Sequence, residues 1–318
     1  MILTITLNPA IDKSTSVDAL IPDKKLRCNN VIAEAGGGGI NVSKGLKKLG
    51  MDSVAMFFSG GNNGLWLEDY LQNYGVGTIP IKVEGETRES FTVTENSTNA
   101  QYRFVLPGPE ISDSYTRSCI QALKEISPAP EIVVISGSLP PGINDSFYAE
   151  LTKTANQLGA KTILDTSGKP LELAMKEGLY LIKPNLNELT SLSGKETLQI
   201  HEVDDVAIDL IKKENIEMIV VSLGPSGAIS VSKDCYDHIP APMVKKNTTV
   251  GAGDSMVAGM VYKISKGADA REIAEFGVAC GSAATMGSGT ELFDPSDAEK
   301  LYQWINEKAH IYKLNLDG

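Results

Sequence analysis

Along the chain, short runs of β-branched and other apolar residues alternate with longer segments whose apolar positions recur every three or four residues. Residues 2–7, 53–58, 132–136, 162–164, 179–182 and 218–222 are of the first kind and predict strands. A strand buried on both faces reads as such a continuous run. Residues 41–49, 65–74, 114–126, 146–158, 203–213, 252–266, 270–286 and 297–307 predict helices. Gly50, Gly75 and Gly159 close several of them, where a helix C-terminus favours a left-handed residue. This rhythm predicts an α/β fold around a mainly parallel sheet. One stretch departs from it: residues 89–94 and 101–106 alternate apolar and polar positions around Asn96-Ser97-Thr98-Asn99, predicting an antiparallel hairpin, read as a small lid. A hairpin is marginal alone, so it must pack on the main sheet, on other lid strands or on a second subunit.

Composition narrows the partners. With 29 Lys and Arg against 40 Asp and Glu, the net charge of −11 opposes nucleic acid and anionic membrane surfaces, and neither partner is expected. The same charge requires that any anionic ligand be met by backbone N–H groups and a few placed cations. The 318 residues suffice for one well-buried domain. Cys28, Cys119, Cys235 and Cys280 form no C-x-x-C pair, so neither a zinc site nor a disulfide framework is expected, and a cytoplasmic location fits. The apolar start lacks a basic lead and runs into Asn8-Pro9, so it predicts a strand and not a signal peptide.

Two glycine-rich segments carry the candidate chemistry. Gly36-Gly37-Gly38-Gly39-Ile40-Asn41 stands directly before a predicted helix, where backbone can approach a ligand closely and N–H groups can face an anion or a polar sugar; a flexible linker or tight turn is the other reading. Thr248-Thr249-Val250-Gly251-Ala252-Gly253-Asp254-Ser255 also leads into a helix. Its N–H groups suit the charge that develops on a transferred phosphoryl group, with Asp254 as the base for the accepting hydroxyl. Near a helix start Asp254 is expected to have a low pKa and to be a weak base; a first-turn acid complementing the dipole is the plainer alternative.

Two further segments gain meaning beside these. Lys183-Pro184-Asn185 followed by Glu188 places a cation near phosphate oxygens and two oxygen ligands within reach of magnesium, although a capping box has the same spacing. Ser222-Leu223-Gly224-Pro225-Ser226-Gly227 is a turn that lines phosphates or merely joins two strands. Neither Gly168-Lys169 nor Gly194-Lys195 is followed by Ser or Thr, so there is no Walker A loop. Both glycine runs miss the dinucleotide fingerprint, which disfavours a nicotinamide oxidoreductase. His201, His238 and His310 are scattered, which removes support for a zinc cluster or a histidine triad.

In this order and separation, residues 37–41 and 250–255 resemble the two signatures of the ribokinase-like, or phosphofructokinase-B type, carbohydrate kinases, and the likeness spans nearly the whole chain. It implies a ribokinase-like three-layer fold forming one domain, with lid strands from about residues 10–35 and 85–108 and a homodimer made through the lid. Asn8-Pro9-Ala10-Ile11-Asp12 resembles the strand-end motif whose aspartate binds sugar hydroxyls, so Asp12, Gly37, Gly38, Gly39 and Asn41 are expected to hold the sugar. Lys25-Leu26-Arg27-Cys28, Gln101-Tyr102-Arg103-Phe104 and the segment 136–142 resemble the minor bacterial 6-phosphofructokinase subgroup. That implies fructose 6-phosphate and ATP as substrates, with Lys25, Arg88, Arg103 and Ser138 at the sugar-phosphate end. Each arginine also fits a surface salt bridge.

The resemblance further implies that Gly251, Ala252 and Gly253 stabilise the transferring group while Asp254 takes the proton. Lys183, Asn185, Ser222, Gly224, Gly227 and Ala284 would meet the nucleotide, Asn185 and Glu188 magnesium, and Thr248 and Val250 a monovalent cation such as K+. Relatives acting on fructose 1-phosphate or tagatose 6-phosphate usually carry Lys where Gly38 stands, so this position favours fructose 6-phosphate over those two. Thr248 replaces the aspartate of ribokinases and Glu291 an arginine of the family pattern, both departures near the cation and nucleotide loops. A sugar-phosphate-binding regulator without catalysis is the rival from another class, and it has no need of Asp254.

Overall fold

The computed structural model describes residues 1–233, 236–287 and 291–316, with residues 308–316 as helix only; Cys235 lies outside the described residues. In chain order the first half runs β1 (Ile2–Thr6), β2 (Ala10–Val17), β3 (Ile32–Gly36), α1 (Gly38–Lys48), β4 (Val54–Gly60), α2 (Gly61–Tyr74), β5 (Gly77–Val83), β6 (Arg88–Glu95), β7 (Ala100–Val105), α3 (Asp113–Glu125), β8 (Ile132–Ser136) and α4 (Phe147–Gln157). The second half runs β9 (Lys161–Asp165), α5 (Lys169–Met175), β10 (Leu179–Ile182), α6 (Leu186–Ser193), α7 (Val203–Glu214), β11 (Ile216–Ser222), β12 (Ala228–Ser232), β13 (Tyr236–Ile239), α8 (Ala252–Ser265), α9 (Ala270–Ala284) and α10 (Pro295–Leu316).

The main sheet has the order β13-β12-β11-β10-β9-β8-β1-β4-β5. Its strands pair in parallel from β5 through β11, and β12 and β13 add antiparallel. Side chains alternate across the strands between two cores. Leu3, Ile5, Val133 and Ile135 pack toward α3–α7, whereas Ile2, Ile132 and Val134 pack toward α1 and α8–α10. These helix, sheet and helix layers are the α/β arrangement the rhythm of the sequence predicts.

The smaller sheet has the order β3-β2-β6-β7. The predicted hairpin is its β6–β7 pair, antiparallel from Ser90 opposite Val105 to Glu95 opposite Ala100. The β2–β6 pair is parallel, so this sheet is mixed.

Several elements escape the sequence pattern. β5 lies at the edge of the main sheet and carries Pro80, which only an edge strand tolerates. The short strands β12 and β13 and the helix α5, which opens on Lys-Pro, are too brief to show a period. α1 begins at Gly38 rather than at Asn41, so two glycines of the run lie within its first turn. A methyl group on Gly39 would stand 2.6 Å from Thr6 Oγ1 and 2.8 Å from the Ile5 carbonyl oxygen. The absence of side chains there lets the helix start press against the end of β1.

Candidate active site

In open parallel sheets ligands bind beyond the carboxyl ends of the strands. Here β8, β9 and β10 all end at a cavity of about 540 Å³ whose wall includes Gly38, Ser138, Asp165, Lys183, Glu188 and Asp254. Thr6 at the end of β1 accepts a hydrogen bond from the Ile40 N–H at 2.9 Å, tying the first turn of α1 to the strand.

α8 begins where Gly251 adopts φ 71° and caps the helix, a conformation that favours glycine. This turn places Asp254 in the first helical turn, at the cavity floor. Asn41 Nδ2, on α1, donates to Asp254 Oδ2 at 2.8 Å. The two glycine signatures, far apart in sequence, therefore meet at one carboxylate.

The electrostatics overturn one expectation. Burial, joined by the nearby negative charge of Asp165, pushes the Asp254 carboxyl up to about 7, against the Asn41 hydrogen bond and the Lys183 charge, which both favour ionisation. Helix-start stabilisation acts only locally, and here the loss of water outweighs it. Asp254 is thus a stronger base than its position alone suggests, with a proton affinity suited to general-base work near neutral pH. Activity that needs its ionised form is expected to lose about tenfold in kcat/KM per pH unit below 7. A kcat/KM profile flat from pH 5.5 to 8 would contradict this assignment.

Lys183 follows β10 and is buried, with its Nζ 3.3 Å from Asp165 Oδ1. Burial acts to lower its pKa, but the Asp165 ion pair outweighs this and raises it, favouring the cation. A methyl group on Gly253 would come within 3.5 Å of Lys183 Nζ, so the buried cation adjoins the helix-start glycines. Asp165 escaped the sequence reading. Its only signal is an acid closing the buried run Thr162-Ile163-Leu164, the position where parallel strands deliver functional side chains.

Asn185 and Glu188 form a capping box at the start of α6: the Glu188 N–H donates to Asn185 Oδ1 and the Asn185 N–H donates to Glu188 Oε2, each at 2.9 Å. The spacing thus has a structural cause, and of the two only Glu188 reaches the cavity wall. No group of three or more His, Cys, Asp or Glu suited to a metal ion occurs among the described residues. The single carboxylate of Glu188 on the cavity wall is compatible with magnesium, which is commonly held by one or two carboxylates with water and substrate phosphates. Ser222 is brought beside this segment, its N–H donating to the Pro184 carbonyl at 2.9 Å. Gly224, with φ 59°, and Gly227, with φ 91°, form the turn that follows. None of Ser222, Gly224, Gly227 and Ala284 is part of the cavity wall.

At the other side, Asp12 sits on β2 against Gly36, where a methyl group would come within 2.0 Å of Asp12 Oδ2. Burial raises the Asp12 carboxyl to about 6, opposed by the charges of Arg88 and Lys44. Arg88 donates to the Asn8 carbonyl from Nε at 3.3 Å and from Nη2 at 3.1 Å, and from Nη1 to the Leu106 carbonyl at 3.3 Å. Asn8 Nδ2 donates to Ser138 Oγ at 3.2 Å. Arg103, on β7, donates from Nη2 to Thr249 Oγ1 at 3.1 Å, joining the smaller sheet to the loop before α8. Lys25 lies on the exposed segment between β2 and β3, away from the cavity wall. Gly37, with φ 112°, caps α1, and Gly38 has no room for a side chain, since a methyl group there would lie 2.2 Å from Ser136 Oγ.

The loop before α8 also meets the end of α9. The N–H groups of Asn247 and Thr248 donate to the Thr285 carbonyl at 2.8 and 3.2 Å, and the Val250 N–H donates to Thr248 Oγ1 at 3.1 Å. Thr248, Val250 and Ala284 therefore belong to one neighbourhood of hydroxyl and carbonyl oxygens, a donor set compatible with a monovalent cation.

A cavity floored by a carboxylate at a glycine-led helix start, with a buried lysine beside it, is built for transfer to a hydroxyl. In agreement, residues 3–297 match the pfkB family carbohydrate kinases, and the chain belongs to that family. More particularly, it is 38% identical over 307 residues to the ATP-dependent 6-phosphofructokinase isozyme 2 of Escherichia coli K12, covering 96% of this chain and 99% of that protein. It is similar to two crystal structures of phosphofructokinase-2 from Escherichia coli, each covering 96% of this chain and 99% of the other. The complex with potassium has a TM-score of 0.91 and 38% identity. The complex with fructose-6-phosphate has a TM-score of 0.90 and 36% identity.

Proposed function

We propose that this chain is a 6-phosphofructokinase, transferring the terminal phosphoryl group of ATP to the 1-hydroxyl of fructose 6-phosphate to give fructose 1,6-bisphosphate and ADP. The observation that carries the reading is the Asn41–Asp254 hydrogen bond of 2.8 Å, which joins the sugar-side glycine helix to the base at the cavity floor. Asp254 accepts the proton of the attacking hydroxyl while Asn41 fixes the carboxylate's orientation. The N–H groups of Gly251, Ala252 and Gly253 and the Lys183 ammonium face the charge that builds on the transferring group. Asp12 accepts hydrogen bonds from sugar hydroxyls, and Arg88 and Arg103 meet the sugar phosphate, a task for which the guanidinium fork is suited. Glu188, on the cavity wall, would hold magnesium directly or through water, and the ion would neutralise phosphate charge. Thr248, Val250 and Ala284 would hold a monovalent cation.

The smaller sheet acts as a lid over the sugar. Its exposed apolar residues, Val31, Ile32, Phe104, Val105 and Leu106, suit burial against a second copy, giving a homodimer into which Lys25 carries its charge. Among the described residues no helix is long and apolar enough to cross a membrane. A cytoplasmic enzyme of sugar-phosphate breakdown fits these features.

The test is ATP-dependent phosphorylation of fructose 6-phosphate, tagatose 6-phosphate and fructose 1-phosphate side by side. Preference for fructose 6-phosphate by tenfold or more in kcat/KM is expected, and preference for either rival would replace the substrate while leaving the kinase chemistry. Absence of turnover with all three, alongside tight binding of one, would instead favour the non-catalytic regulator.

A further inference from the structure

Lys44 is a lysine the active-site description leaves unused, and its surroundings are unusual. It lies on α1, five residues beyond the glycine run, and is only 2% exposed. Its Nζ donates to the Ala35 carbonyl at 3.0 Å and stands 3.5 Å from Glu34 Oε1. The rings of Tyr70 and Tyr74 flank it, with centroids 5.6 and 5.9 Å from the ammonium. Burying an ammonium is strongly disfavoured unless it is paired, so the charge of Lys44 must be met by the groups around it.

Those partners are two carboxylates of the sugar wall. In the β2–β3 ladder Asp12 is directly opposite Glu34, which puts both side chains on one face. The Glu34 charge adds to the burial that raises the Asp12 carboxyl, against the opposing charges of Arg88 and Lys44. Lys44 comes up beneath this pair from α1. The Ala35 carbonyl it holds directly precedes Gly36, the residue against which Asp12 is seated.

We propose that Lys44 is a positioning residue for sugar-phosphate binding: it neutralises the opposed carboxylates Asp12 and Glu34, so that Asp12 meets the sugar as an ionised acceptor. The inference rests on the reading that Asp12 binds the sugar. The charged groups facing Asp12 are Glu34 on β3, Lys44 on α1, Arg88 on β6, Arg103 on β7 and, further off, Asp254 on α8. Only Lys44 among the cations is buried in the protein beneath the wall. Arg88 is half-buried and Arg103 is exposed.

The test compares full-length wild type, Lys44→Met, Lys44→Arg, Glu34→Gln and Asp12→Asn by the KM for fructose 6-phosphate from pH 6 to 8.5 at saturating ATP. Taking each variant as a ratio to wild type cancels the titration of the substrate's own phosphate. Lys44→Met is expected to raise KM about fivefold at pH 6 and less than twofold at pH 8, with kcat little changed. Lys44→Arg is expected to restore wild-type behaviour. Glu34→Gln, which removes the competing negative charge, is expected to act in the opposite sense and lower KM at pH 6; this arm stands even where Lys44→Met fails to fold. A KM ratio for Lys44→Met equally raised at every pH marks a purely structural lysine and overturns the inference. So does a Glu34→Gln profile that follows wild type. If Asp12→Asn leaves KM unchanged, the sugar-site reading falls and the inference falls with it. If Asp12→Asn raises KM while Lys44→Met does not, only the inference fails.

Discussion

Asp254→Asn is expected to cut kcat by about 10³-fold or more while making the protein more stable. The loss follows from removing the group that takes the hydroxyl proton, a contribution commonly worth about 10²–10⁴ in rate, together with the geometry Asn41 maintains. The gain follows from the raised pKa. In the unfolded chain an aspartate titrates near 3.8, whereas in the folded protein Asp254 titrates at about 7. Between those values the folded state holds a proton that the unfolded state has lost, so stability falls as pH rises from about 4 to 7. At pH 8 the native protein carries the whole penalty, on the order of 3 kcal/mol for a carboxylate at a solvent-reached cavity floor. An asparagine has no charge to desolvate. Calorimetry at pH 8 should then show the variant melting roughly 4 °C above wild type, with the difference vanishing near pH 4. Unchanged turnover would remove Asp254 from the chemistry, and a lower Tm at pH 8 would refute the electrostatic account.

Lys183→Met has the next largest effect and acts on both stability and rate. Asp165 is 17% exposed and Lys183 only 8%, so deleting the lysine leaves a poorly hydrated carboxylate without its ion-pair partner, a loss of about 2–4 kcal/mol. The rate also suffers, by about 10²-fold, because the cation beside the Gly253 backbone no longer meets the transferring group. The two losses separate in the double variant Lys183→Met/Asp165→Asn. There the buried charge is gone, so urea unfolding should recover most of the stability while turnover stays low. Recovery of turnover with stability would make Lys183 a structural residue only.

Much of the fold was legible because central strands buried on both faces write themselves as unbroken apolar runs. β1, β8 and β11 are such runs, and the amphipathic period of α3, α4 and α7 marked those helices with little error at their ends. The invisible elements lie where burial is partial or the element is short. β5 shows intermediate exposure along nearly its whole length and contains a proline, while β12 adds antiparallel to the edge of β11 and β13 to the edge of β12.

The site divides along the same line. Asp254 and Asn41 were legible because glycine is required next to them for local backbone reasons. Asp165 and Lys44 were not, since each owes its role to groups that the fold brings from other elements. The pKa of Asp254 was misjudged for that reason also: the helix start is written in the neighbouring sequence, while the desolvation and the Asp165 charge are not. Asn185 and Glu188 show the converse, a spacing with a complete local explanation in the cap of α6.

The hydrogen bond between Asn41 and Asp254 spans 213 positions of the chain. As the chain leaves the ribosome at about 5–20 residues per second, α1 is complete roughly 10–40 s before the residues of α8 follow. During that interval Val42 and Leu46, both fully buried in the finished protein against α8 and its neighbours, have no partner helix to cover them. Until α8 is made, the apolar positions Val42 and Leu46 and the Asn41 side chain therefore all lack the partners that this one later helix supplies.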